Sequence, residues 1–196
     1  VTTARPCETH LPFRVLSPAE AADASAPTDL VIEPSAFGGG SHPTTASCLA
    51  VLASLAPLDG LRVLDLGSGS GILAIAAVRL GAASAVCLDV NPDAVACARR
   101  NGLANGVDAR LAHRLGGPSD GEGEAFDLVV ANVGGELLLD EAPRVARLAG
   151  PRGRMLLSGL LGGWAPALEE AYAAQGCAVL LRAGAGGFCT LLLGRC

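Results

Sequence analysis

The chain has 196 residues, 51% of them hydrophobic, which suits one compact domain with a sizeable core. Its net charge is -5, with 14 arginines and no lysine, so it lacks the dense basic patch that nucleic acid demands. Seven cysteines without a C-x-x-C pair, and three scattered histidines, argue against a disulfide framework and a metal site. No apolar run reaches the ~20 residues that span a bilayer, and no signal peptide is visible, so a cytoplasmic protein with reduced core thiols is expected.

Residues 1–29 are rich in Pro, Ala, Ser and Thr and read as a loosely packed lead-in; residues 30–196 read as the domain. A short strand is predicted over 29–33. A glycine-rich loop follows over 37–43, and Thr44 or Thr45 then caps a helix reaching about Ala56. From there strands and helices alternate. Strands are predicted over 62–66, 85–89, 109–113, 126–131 and 154–158. Helices are predicted over 70–80, 92–103, 137–148 and 164–175. The run 126–131 is continuously apolar, as in strands buried on both faces of a parallel sheet. The chain ends in a hairpin, 178–182 and 188–193. The pattern predicts an α/β fold: a Rossmann-like, doubly wound, mostly parallel seven-stranded sheet with an antiparallel C-terminal hairpin strand.

The most specific stretch is Asp65-Leu66-Gly67-Ser68-Gly69-Ser70-Gly71, between an apolar strand and an apolar helix. Glycines let backbone pass close to a ligand, and amides at a helix N-terminus favour negative groups. The spacing is G-x-G-x-G. A dinucleotide fingerprint needs glycine at position 72, where Ile72 stands. With Asp65 ahead of the first glycine, the turn reads as a site for S-adenosylmethionine, whose methionine amine suits a carboxylate. Asp65, Gly67, Ser68, Gly69 and Gly71 are the candidate contacts.

Two more polar residues end strands on the same side. Asp89 lies 22 residues after Gly67, the spacing at which an acidic side chain takes ribose hydroxyls. Capping the next helix is its ordinary alternative. Asn132 closes the strand predicted over 126–131. Its carbonyl can accept a hydrogen bond from a methyl-accepting amine and aim the lone pair, or the residue can cap the following helix.

The segment Phe37-Gly38-Gly39-Gly40-Ser41-His42-Pro43-Thr44-Thr45 reads equally as a linker with a cap or as a loop folded over a ligand. It resembles the F-G-T-G-T-H-P-T-T loop of the ribosomal protein L11 methyltransferase (PrmA) family. The similarity continues through 64–77, 88–95, 127–133 and 157–161, and covers roughly residues 30–196. The resemblance implies a class I methyltransferase fold and methyl transfer from S-adenosylmethionine to amino groups of a ribosomal protein. By position it implies cofactor contacts at Thr45, Gly67, Asp89 and Asn132. Gly39 and Ser41 stand in place of the loop threonines. Val133-Gly134-Gly135-Glu136 replaces a more apolar stretch beside the acceptor site. The family also carries a small α/β recognition domain ahead of the loop, and the about 30 residues present there are too few for one.

The expected partner is therefore a methyl-acceptor protein, or a small molecule if the same core serves a different acceptor; a non-catalytic cofactor-binding subunit is the third reading. Asn132 is the expected catalytic residue, acting by orientation. An amine nucleophile with pKa ~10.4 must lose a proton first. His42 and Glu136 are the candidate bases, against a structural loop histidine and a solvated helix-start residue.

Overall fold

A computed structural model describes residues 2–3, 13–33 and 40–195. Cys7, Cys196 and the loop residues Phe37, Gly38 and Gly39 lie outside the described residues. The strands are β1 (Thr2–Thr3), β2 (Arg14–Leu16), β3 (Asp29–Val31), β4 (Arg62–Leu66), β5 (Ser84–Asp89), β6 (Leu111–Leu115), β7 (Phe126–Asn132), β8 (Ala149–Leu161), β9 (Cys177–Ala185) and β10 (Phe188–Arg195). The helices are α1 (Pro43–Ser54), α2 (Ile72–Arg79), α3 (Pro92–Ala104), α4 (Gly135–Asp140), α5 (Ala142–Leu148) and α6 (Ala165–Ala173).

The main sheet runs β1-β9-β10-β8-β7-β4-β5-β6. It contains the seven strands expected from the sequence, plus two-residue β1 on the outer edge of β9. Only β10 is antiparallel to its neighbours β8 and β9. The apolar runs are buried on both faces, as a central parallel strand requires. On one face Val63, Val130 and Leu156 pack under Leu49, Leu73 and Ile75 of α1 and α2. On the other, Leu64, Val129 and Leu157 pack under Leu138, Val145 and Leu168 of α4 to α6. Strand β4 pairs with β5 on one side and β7 on the other. The strand order reverses at β4, so a crevice opens at its carboxyl end.

Four local expectations are corrected. Helix α1 starts at Pro43 and is capped by His42, not by Thr44 or Thr45. Proline suits the first helical position, which moves the start forward. The single helix expected over 137–148 is two, broken at Glu141. Pro143 has no amide to donate and its ring crowds the preceding turn. Strand β6 begins at Leu111 because Asp108–Arg110 form a 3-10 turn. The stretch before residue 30 is not uniformly loose. Strand β2 pairs in parallel with β3, and Phe13 and Leu16 are buried.

That small sheet is held by Asp29. Its carboxylate accepts from Arg14 Nε at 3.0 Å and Arg14 Nη2 at 2.8 Å. It also accepts from the Ser25 and Ala26 amides at 2.8 and 2.9 Å. The guanidinium first, then the amides, hold this carboxyl well below the usual carboxylate range. A depressed carboxylate contributes stability above its unfolded value of ~3.9, and that contribution is lost as pH falls. The unaltered chain should therefore lose more stability than Asp29→Asn between pH 5 and pH 3, measured by urea denaturation. Parallel losses would remove Asp29 from this role.

Candidate active site

At the carboxyl end of β4 lies a cavity of about 340 Å³, within the ~300–1,000 Å³ range of small-molecule sites. Asp65, Gly67 and Ser68 reach it from the end of β4 and the turn, and Asn132 and Val133 from the end of β7. His42, Thr44 and Thr45 reach it from the start of α1. Of the residues singled out from sequence, Thr45, Asp65, Gly67, Ser68 and Asn132 line this space. Gly69, Gly71 and Asp89 are not among the lining residues; they belong to the turn and its clamp.

The turn's geometry explains its glycines. Gly67, Gly69 and Gly71 all have left-handed φ, at 67°, 53° and 76°. A Cβ on Gly67 would overlap the Val133 side chain, and one on Gly71 would sit 2.9 Å from Ala98 Cβ. The freed amides find partners on β5. Gly67 and Ser68 donate to the Leu88 carbonyl at 2.8 and 3.2 Å. Gly69 donates to Asp89 Oδ2 at 2.8 Å, while Asp89 Oδ1 accepts the Asn91 amide at 2.9 Å. Asp89 is thus a clamp on the turn. The cap of α3 is Asn91, whose side chain accepts from the Asp93 amide.

Asp65 is buried, and its Oδ2 accepts the Ala74 amide in the first turn of α2 at 3.0 Å. The N-cap position of that helix is Gly71, which has no side chain to offer. Asp65 supplies the missing anion from the strand below. Burial nonetheless dominates and pushes its carboxyl up to about 7, with the Asp89 charge adding to the rise and the Ala74 amide opposing it.

On the opposite wall, Asn132 Nδ2 donates to Thr45 Oγ1 at 3.3 Å across 87 residues of sequence. With one amide hydrogen directed at Thr45, the carbonyl oxygen is the group suited to an incoming donor. The Val133 amide donates to the Ser158 carbonyl at 3.1 Å, which closes β7 against β8. His42 Nδ1 accepts from the Thr44 amide at 3.3 Å and lies 2.7 Å from Thr44 Oγ1. Nδ1 is therefore the ring nitrogen engaged at the start of α1. Its ring meets Phe188 edge-on at 5.1 Å. Glu136 is exposed in the first turn of α4 and is not among the cavity-lining residues.

Sequence reasoning passed over Ser70, Gly134 and Gly159, which also line the cavity. The Oγ atoms of Ser68 and Ser70 are buried and hydrogen-bonded to nothing among the described residues. The serines between the glycines were a signal for them; Gly159, far away in sequence, had none. Among the described residues no cluster of His, Cys, Asp or Glu could hold a metal ion. No helix among them is long and apolar enough to cross a membrane.

The model of the family described as Ribosomal protein L11 methyltransferase (PrmA) matches residues 15–195. The ribosomal protein L11 methyltransferase of Chromohalobacter salexigens is 46% identical over 150 residues, which is 76% of this chain and 49% of that one. Its counterpart from Azotobacter vinelandii is 46% identical over 146 residues, 74% and 49% of the two chains. The crystal structure of ribosomal protein L11 methylase from Lactobacillus delbrueckii subsp. bulgaricus is similar with a TM-score of 0.79 at 28% identity, covering 92% of both chains. The chain spans about half the length of the curated relatives it matches.

Two outcomes follow from this geometry. A carbon-13 NMR titration should find the Asp65 carboxyl with a midpoint at about 7. An acid raised in the folded state favours folding below its unfolded value of ~3.9 and loses that contribution as pH rises. Asp65→Asn should remove this loss of stability between about pH 4 and pH 7; an unchanged slope would contradict the assignment. Gly67→Ala should destabilise by ~1–3 kcal/mol in urea denaturation, through left-handed strain and overlap with Val133.

Proposed function

This chain belongs to the ribosomal protein L11 methyltransferase family, and we propose that it binds S-adenosylmethionine beside the Gly67–Gly71 turn and methylates an amine. A ribosomal protein is the proposed acceptor. One observation carries the reading: Asp65, Ser68, Ser70, Thr45 and Asn132 converge from separate elements on a single cavity. The donor set fits the cofactor. A buried carboxylate suits a cationic amine, two unpaired hydroxyls await polar partners, and the Gly67 position leaves backbone bare where a Cβ would intrude.

When bound, S-adenosylmethionine supplies a methyl group activated by its sulfonium. The chain's own residues would position the partners. Asp65 holds the amino-acid end of the cofactor. Asp89 already accepts two amides, and its remaining lone pairs take ribose hydroxyls. Asn132, steadied by Thr45, accepts from the acceptor amine and turns its lone pair inward. His42 is spent as a helix cap, so the amine sheds its proton to solvent before docking rather than to this ring.

Calorimetry with S-adenosylhomocysteine should show binding, accompanied by proton release at pH 7 as a cation beside Asp65 drives its carboxyl to ionise. Binding of NADH instead would overturn the S-adenosylmethionine reading. Asn132→Ala should lower kcat by about 10²-fold with little change in cofactor affinity, the effect expected of lost orientation. An unaltered rate would take Asn132 out of the acceptor role. With labelled cofactor, label should enter ribosomal protein L11; label found only in small molecules would favour a metabolite acceptor.

A further inference from the structure

Helix α3 carries the buried Asn101, and one turn later the buried Asn105 stands at its C-cap. Asn105 acts as a surrogate strand for β3. Its Oδ1 accepts the Val31 amide at 3.0 Å and its Nδ2 donates to the Val31 carbonyl at 2.7 Å. Asn101 does something different. Its Oδ1 accepts the Glu33 amide at 2.9 Å, while its Nδ2 donates to the Ser70 carbonyl at 2.8 Å. One amide thus ties Glu33, just beyond β3, to the later half of the glycine turn. Ala98, one turn earlier on α3, is the neighbour a Cβ on Gly71 would meet. The same helix face therefore sets the turn by contact at Ala98 and by hydrogen bond at Asn101.

Ser70 is 1% exposed, so its carbonyl has no recourse to water if Asn101 is removed. That carbonyl directly precedes Gly71, the left-handed residue from which α2 starts. The β5 clamps reach only Gly67, Ser68 and Gly69. The later half of the turn, with the cavity-lining Ser70, depends on α3. We infer that Asn101 is a positioning residue for cofactor binding, holding the Ser70–Gly71 half of the turn in its binding geometry and in register with the chain leaving β3. The inference rests on the S-adenosylmethionine reading of the same site.

The test compares Asn101→Ala with Asn105→Ala, using S-adenosylhomocysteine as the probe at a temperature well below both melting points. Both variants lose a buried amide and should melt earlier than the unaltered chain. Only Asn101→Ala should weaken binding, by about tenfold, as expected for a buried carbonyl left unpaired in the site; Asn105→Ala should stay within about twofold, a difference at the level of ordinary distant-site additivity. Amide exchange followed by NMR supplies a readout without ligand: Gly71, whose amide donates to the Ser68 carbonyl, should exchange faster in Asn101→Ala alone. Should Asn101→Ala not fold, Asn101→Asp at pH 8 replaces it; the oxygen still takes the Glu33 amide, and no donor remains for Ser70. Equal weakening by both positions, or unchanged affinity and exchange in the Asn101 variant, overturns the inference while leaving the cofactor reading intact. Failure of the unaltered chain to bind the probe overturns the cofactor reading first, and this inference with it.

Discussion

The site depends on the clamp between the glycine turn and the end of β5. Three successive amides, of Gly67, Ser68 and Gly69, lie in a turn with left-handed backbone at both glycines and would be unpaired without acceptors. The Leu88 carbonyl takes two of them and the Asp89 carboxylate the third. Hydrogen bonds to a charged acceptor contribute ~1.5–3 kcal/mol each, more than a neutral pair, so Asp89 is the strongest tie. It works only because β5 lies beside β4 in parallel register, with Leu66 opposite Leu88. The parallel pairing of β4 with β5 and the binding turn are one construction.

A second constraint lies below the turn. Asp65 is buried where a carboxylate is expensive, yet it faces the first turn of α2, whose N-cap glycine offers no side chain. The helix end supports the charge and burial opposes it. Burial wins, leaving the carboxyl near neutrality with a pKa of about 7. A cation placed beside it would tip the balance. The wall opposite is tied by side-chain hydroxyls. Behind Asn132, the Ser158 and Thr190 hydroxyls meet at 2.7 Å in the core, joining β8 to β10. Cys48, buried on α1 with Ser158 as a partner, has its thiol pushed up to about 12 by burial and stays a neutral packing group. The antiparallel hairpin thus braces the strand end that carries Asn132.

Much of this was legible in the residues. The alternation of apolar runs marked every strand of the main sheet except two-residue β1, and the glycine spacing marked the turn. Asp65 and Asn132 were found because strand ends in such sheets face one crevice. Asp89 was found for its distance from the turn, though its contacts in this structure are to backbone amides. The errors were local. Pro143 was absorbed into a helix it breaks, and the adjacent threonines, favoured cap residues, drew the cap away from His42. The parallel pairing of β2 with β3 was missed because three-residue strands carry too little periodicity.

The sequence by itself determined what is short-ranged: where the chain turns, which runs are buried, and that acidic and amide side chains end the strands. Those features depend on backbone conformation and on solvent exclusion, both written in neighbouring residues. Tertiary structure alone decided which polar groups meet. Asn101 reaches Ser70 across 31 residues, Asn105 reaches Val31 across 74, and Asn132 reaches Thr45 across 87. A hydrogen bond requires a distance and an angle, and these exist only after the sheet has paired and α1 and α3 have packed against it.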